Sequence, residues 1–299
     1  MMAARRNGST AGKLLRGEPM SRHTSWRVGG PADLFFKPAD VGDLARFLRE
    51  LDPATPVFWF GLGSNLLVRD GGLRGAVIAA SGVFRRLEAA GTRRLRVGSS
   101  VPCTQLARHC VRAGLGPSEF FAGIPGTLGG ALAMNAGAHG GETWERVRAV
   151  TTIDRRGECR ERAAAEYTVG YRSVRGPAGE WFVEALLEFE PDVRPSMEAL
   201  KAMMARRRDT QPLDLPSCGS VFRNPPGDHA ARLIETAGLK NTRIGAAEVS
   251  GKHANFIINR GGASAADIER LIEHVRATVE QVHGVRLEPE VRIVGEAPA

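Results

Sequence analysis

"FAGIPGTLGGALAMNAGAHGGE", residues 121–142, carries seven glycines in 22 positions. Each glycine costs about 1 kcal/mol relative to alanine inside a helix, so the stretch cannot be one regular element over its length. The Ile, Leu, Ala and Met residues between the glycines argue against a disordered linker. Loops this long and structureless tend to be functional. A wall of small residues lets a planar ligand and its phosphates approach the backbone closely.

A second glycine segment lies upstream. "GLGSN" (61–65) follows the apolar run "PVFWF" and precedes "LLV", which reads as strand, turn, strand. Successive backbone N–H groups in such a turn form an anion-binding nest. The dinucleotide fingerprint G-x-G-x-x-G fails, because Leu66 stands at the sixth position and a strand follows; G-K-[ST] is also missing. Alone, the segment reads as an ordinary turn.

Around these two loops, periodicity predicts mixed helices and strands. Helices are expected at 40–51 (Asp40 as cap; Val41, Leu44, Ala45, Leu48 and Leu51 on one face), 101–115, 196–208, 228–238 (Asp228 as cap) and 264–284. The last has a Ser264/Asp267 capping box, a stripe of Ile268, Leu271, Ile272, Val275, Val279 and Val282, and Gly284 as its stop. Strands are expected at 75–80, 94–98, 147–154, 181–191, 255–259 and 285–295; in the last, Glu290 and Arg292 fall on the polar side of the alternation. The expected organisation is a disordered basic extension (1–19, with Met20 as an alternative start), modules over 20–80, 81–205 and 206–285, and a C-terminal strand (286–299) returning to an earlier module.

The chain has 299 residues, a net charge of +8, and ordinary hydrophobic (42%) and charged (25%) fractions. Its basic runs are dispersed and lack interleaved aromatics, so nucleic-acid binding is not expected. No apolar run reaches the ~18 residues that span a bilayer. Cys103, Cys110, Cys159 and Cys218 form no CxxC pair and have no histidines at zinc spacing, so no metal site is expected and a reduced, cytoplasmic protein is the simplest account.

Five segments in order, "GLGSNLLVRDGGLRGAVI" (61–78), "AGIPGTLGGALAMNAGAHGGE" (122–142), "YRS" (171–173), "PSCGSVFRNP" (216–225) and "LEPEVRIVG" (287–295), together resemble the UDP-N-acetylenolpyruvoylglucosamine reductase family. The resemblance runs from about Ser25 to Gly295. The short distance from Tyr171 to Ser220 resembles the type II branch, which lacks the tyrosine-bearing loop of type I. It implies an α+β fold: the two-subdomain FAD-binding fold of the vanillyl-alcohol-oxidase type plus a C-terminal α+β substrate-binding domain. It also implies NADPH as co-substrate, a UDP-sugar enolpyruvate as substrate, no membrane insertion, and a monomer.

By the same resemblance, Gly61, Gly63, Ser64 and Asn65 would hold the FAD diphosphate. Gly123, Ile124, Pro125, Gly126, Thr127, Gly129, Gly130, Asn135, Ala136, Gly137 and Ala138 would line the rest of the site. Hydride delivered to C3 of the vinyl ether leaves negative charge at C2 beside the carboxylate. Arg172 would engage the carboxylate, Glu290 would hydrogen-bond the developing enolate if protonated, and Ser220 would donate a proton to C2. Arg208, Arg223 and Asn224 are candidates for the substrate's phosphates and carboxylate, and Cys218 is a bystander. Taken singly, Ser220 reads as a turn hydroxyl, Glu290 as a solvated strand carboxylate, and Arg172 as half of a surface ion pair. The family's Y-R-x-S is here Tyr171-Arg172-Ser173-Val174, with the serine one place early. The same loops would also serve a flavin oxidase or dehydrogenase of that fold acting on another substrate.

Overall fold

The computed structural model describes residues 12–298. Its first sheet has the strand order Lys13–Pro19, Pro31–Lys37, Leu73–Ala79, Val57–Phe60. The first pair is antiparallel and the other two are parallel. The basic extension expected through residue 19 is therefore structured from Lys13 onward; residues 1–11 lie outside the described residues. The strand's side chains are mostly exposed and show no apolar alternation, so it left no sequence signal. A charged edge strand of this kind is held by its backbone ladder. Met20, which follows it, is fully buried.

Helix α1 (Val41–Glu50) makes the crossover from Pro31–Lys37 to Val57–Phe60. Asp40 caps it as predicted, its Oδ1 accepting from Asp43 N at 2.7 Å. Leu44, Phe47 and Leu48 pack against Phe36, Ala76 and Ile78. Val41, expected on that face, is 39% exposed.

The second sheet is wholly antiparallel, in the order Cys159–Ala163, Val147–Asp154, Glu180–Glu188, Arg94–Gly98, Leu87–Ala89. Helices α2 (Cys103–Ala113) and α3 (Leu128–Met134) bury Leu106, Cys110, Leu128 and Leu132 against Leu95, Val97, Ala185 and Leu187. Helix α3 departs from the structureless loop expected over 121–142. Its glycine at 129 is a packing requirement, since a β-carbon there would lie 2.9 Å from Ser99 Cβ. Close approach to the end of Arg94–Gly98 offsets the low helix propensity. Helix α4 (Met197–Thr210) begins at Ser196, whose Oγ accepts from Ala199 N at 3.1 Å. It runs unbroken across the expected 205/206 boundary, because Arg206–Arg208 favour helix and the first breaker is Pro212.

The third module holds α5 (Ala230–Thr236), a small sheet ordered Arg243–Ile244, Ala247–Val249, Ile257–Asn259, and α6 (Ala265–His283). Helix α5 is shorter than expected, and Asp228 is not its cap. Asn224 Oδ1 accepts from Ala230 N at 3.1 Å, while Asp228 bonds His229 N and Arg232. Helix α6 has the predicted Ser264/Asp267 box and an αL Gly284. It buries Ile268, Leu271, Ile272, Val275 and Val279, each worth about 1.5–3 kcal/mol. Val282, placed in that stripe by periodicity, is 54% exposed.

Three connections seat this module on the first. Asp70 accepts from Ala265 N and Ala266 N at 2.9 and 3.0 Å, giving the N-terminus of α6 a carboxylate. Trp26 Nε1 donates to Ile257 O at 2.7 Å, and Asn259 Nδ2 to Trp26 O at 2.9 Å. Finally, Arg292–Val294 pairs in parallel with Leu66–Val68. The strand expected over 285–295 is regular only across those three residues. Just before them the chain pairs elsewhere: Glu290 N donates to Val221 O at 2.8 Å and Arg223 N to Glu288 O at 2.9 Å.

Candidate active site

Segments widely separated in the chain meet around one cleft of about 520 Å³. Gly61, Gly63, Ser64 and Asn65 form one wall, in the turn between Val57–Phe60 and Leu66–Val68. Gly63 sits at φ 65, and a β-carbon there would lie 2.6 Å from His23 O, so both backbone angle and space require glycine. The cleft is also lined by Gly123, Ile124, Pro125, Gly126 and Thr127, followed by Gly129 and Gly130 of α3 and by Ala136, Gly137 and Ala138. Ser64 Oγ donates to Pro125 O and ties the two glycine segments together. A β-carbon on Gly130 would meet nothing within 4 Å, so the space beside it is open cleft.

Arg172, Ser220 and Glu290, far apart in the chain, all line this cleft. Arg172 lies in the two-residue turn of the hairpin Thr168–Gly170/Ser173–Arg175, at φ 52. An L-residue there costs about 1–2 kcal/mol. Its guanidinium offsets that strain by donating from Nη2 to Gly137 O at 2.7 Å and from Nη1 to Asn135 O at 3.2 Å. Nε is buried without a hydrogen-bond acceptor and lies 3.3 Å from Glu290 Oε1. Ser220 Oγ makes no hydrogen bond to another described residue. Asn65 Nδ2 donates to Glu290 O at 3.1 Å, and Arg292 N to Asn65 O at 3.1 Å, so the first glycine turn also fixes the strand that carries Glu290.

Glu290 is not the solvated carboxylate that strand alternation alone describes, since its side chain is 16% exposed. Burial pushes its carboxyl above the usual 4.5, against the opposing pull of the Arg172 and Arg223 guanidinia. A carboxyl raised on folding contributes stability that is present below its unfolded pKa and lost as pH rises through its folded pKa. Glu290→Gln is therefore expected to gain in Tm over the parent as pH rises from about 4 to about 8. A difference that stays flat with pH would contradict the raised carboxyl. Cys218 is buried and its thiol is pushed well up, first by burial and then by Glu290, so it is no thiolate nucleophile.

Other sequence-predicted residues fall differently. Asn224 lines the cleft while capping α5. Arg223 does not line it; its Nη2 donates to Arg172 O at 3.3 Å and its Nη1 lies 3.6 Å from Glu288. Arg208 is exposed and does not line the cleft. Its neighbour Arg207 lines the cleft instead, donating to Ala122 O and to Gln211 Oε1. Helical spacing could have found it, since Leu200, Met204, Arg207 and Gln211 form one stripe of α4. Asn135 also does not line the cleft: it is 1% exposed and its amide is used within the protein. Ser173 does not reach the cleft. Sequence reading missed Trp59 and Trp181, which stack at 5.4 Å and line it from two different sheets. Neither carried a local signal. His253 Nδ1 accepts from Asn255 N at 3.3 Å, and the residue lies outside the lining. Among the described residues, no group of three or more His, Cys, Asp or Glu is placed to hold a metal ion.

The assembled cleft accords with what the chain is similar to. A model of the UDP-N-acetylenolpyruvoylglucosamine reductase C-terminal domain matches residues 211–294, and an FAD binding domain matches residues 32–162. The chain is 60% identical over 298 residues to the UDP-N-acetylenolpyruvoylglucosamine reductase of Alkalilimnicola ehrlichii, covering 99% of each. It is 58% identical to that of Methylococcus capsulatus, covering 99% of this chain and 98% of the relative. The chain belongs to the UDP-N-acetylenolpyruvoylglucosamine reductase family. The crystal structure of the reductase from Thermus caldophilus superposes with a TM-score of 0.79 at 32% identity, covering 94% of this chain and 98% of that one. As a member of the family the chain is a flavoprotein oxidoreductase whose cofactor is FAD, and its two-part FAD-binding fold with a C-terminal domain is the one expected. The residues fit that cofactor: two glycine segments bring backbone to the cleft, and the space beside Gly130 is clear.

Proposed function

We propose that this chain reduces UDP-N-acetylglucosamine enolpyruvate to UDP-N-acetylmuramate, with NADPH as hydride source, in the cytoplasm. The observation that carries the reading is the meeting of Arg172, Glu290 and Ser220 in the cleft lined by both glycine segments. When bound, FAD supplies the hydride acquired from NADPH. Gly61, Gly63, Ser64 and Asn65 would hold its diphosphate, and Gly123–Gly130 and Ala136–Ala138 would line the remainder.

The chain's own groups manage charge and proton. Arg172 binds the enolpyruvyl carboxylate through a guanidinium already oriented by two backbone carbonyls. Glu290, held protonated to higher pH by burial, donates a hydrogen bond to the charge developing on that carboxylate. Ser220, with its hydroxyl unbonded among the described residues, donates the proton that C2 requires. Asn224 and Arg207 reach the same cleft and offer polar contacts to the sugar nucleotide. The cytoplasmic assignment is supported by four free thiols and, among the described residues, by no helix long and apolar enough to cross a membrane.

The test is the anaerobic absorption spectrum of the purified protein. Flavin bands that bleach with NADPH and return on adding the enolpyruvyl sugar nucleotide are expected. Bands that bleach and do not return with it would overturn the substrate assignment.

A further inference from the structure

Arg172 is carried by an element with few anchors of its own. Residues Thr168, Val169, Gly170 and Tyr171 of the hairpin are all exposed, and its strands pair only with each other. What fixes the turn lies at the end of α3. Asn135 occupies that end in the left-handed conformation, φ 49, and is buried. Its amide is fully engaged. Oδ1 accepts from Trp144 N at 3.1 Å, and Nδ2 donates to Glu142 Oε2 at 2.7 Å and to Gly170 O at 3.2 Å. Its own carbonyl accepts from Arg172 Nη1. One residue thus grips the hairpin at two points: at Gly170, just before the turn, and at the guanidinium that the turn itself carries. The bonds to Trp144 and Glu142 lock the amide so that Nδ2 faces Gly170.

We propose that Asn135 is a positioning residue for Arg172, fixing where the guanidinium meets the carboxylate of the bound substrate. The inference rests on the role given to Arg172 above. An amide is what the place requires. A carboxylate would lose both donors and face the Glu142 carboxylate and the Gly170 carbonyl. An apolar residue would leave the buried Trp144 N without its acceptor and would lose the tie to Gly170.

The test is a double-mutant cycle on the FAD-loaded enzyme using Asn135→Gly, which suits the left-handed backbone, and Arg172→Ala. Asn135→Gly alone is expected to lower kcat/KM for the enolpyruvyl substrate by up to about 100-fold, the scale of an ångström-sized misplacement. The flavin-to-protein ratio and the rate of bleaching by NADPH should stay unchanged. In the Arg172→Ala background the same change is expected to cost less than about twofold, because the group being positioned is gone. Full additivity of the two changes, or an equal fall in the NADPH half-reaction, would overturn the proposal. Should Asn135→Gly fail to fold, Glu142→Ala releases the amide from one partner, and its effect must show the same coupling to Arg172. If Arg172→Ala itself leaves turnover untouched, the reading of Arg172 fails rather than the inference alone.

Discussion

Ser220→Ala lowers the rate at which the enolpyruvyl sugar nucleotide reoxidises the NADPH-reduced enzyme by about 10²–10⁴-fold, the usual worth of a positioned proton donor. Bleaching by NADPH should be unaffected, because protonation at C2 belongs only to the second half-reaction. The geometry makes the change a clean one. Ser220 follows Gly219 at φ 84 in a segment held by backbone pairing: Val221 N donates to Asn255 O at 2.9 Å and Glu290 N to Val221 O at 2.8 Å. Its side chain bonds nothing among the described residues, so alanine removes a proton and little else. The half-reactions are followed separately by stopped-flow absorbance. A normal second half-reaction in the alanine variant would remove Ser220 as donor and turn attention to a water.

Gly130→Leu is the second large effect, and it separates cofactor binding from folding. Gly130 lies inside α3, where leucine is favoured over glycine by about 1 kcal/mol. The new side chain meets no protein atom within 4 Å of its β-carbon and grows into the cleft. The variant should fold with an unchanged or raised Tm while FAD affinity falls about tenfold to a hundredfold, the cost of overfilling a formed site. Thermal unfolding and flavin fluorescence measure the two quantities on one preparation. Gly129→Leu is the contrast, because its β-carbon would collide with Ser99 and so should destabilise the fold. Normal FAD binding by Gly130→Leu would place the cofactor elsewhere.

Much of the site was legible because its signals are local. Glycines at 61, 63, 123, 126 and 130 were readable as close-approach positions, and each lines the cleft. Capping residues Asp40 and Ser264 start their helices, since a cap is decided by neighbours within four residues. Local signals also misled. Asn135 shares the glycine segment's sequence context, yet αL geometry at the end of α3 turns its side chain away from the cleft and into the protein. Arg208 and Arg207 are equivalent in composition, and only the helical phase set by Leu200 separates them.

The sequence by itself determined the cofactor class, the reaction family and most of the helices, and it marked Arg172, Ser220 and Glu290 as candidates for the chemistry. Each of these rests on residue type and short-range spacing, which survive in a linear chain. Tertiary structure decided what those residues are chemically. Glu290 becomes a raised carboxyl only when the returning strand carries it out of solvent, and Arg172 becomes an aimed guanidinium only when Asn135 O and Gly137 O hold it. It also ordered Lys13–Pro19, whose ladder partner is a strand more than ten residues away along the chain. Burial, charge neighbours and strand pairing are relations between distant segments, so no window of sequence contains them.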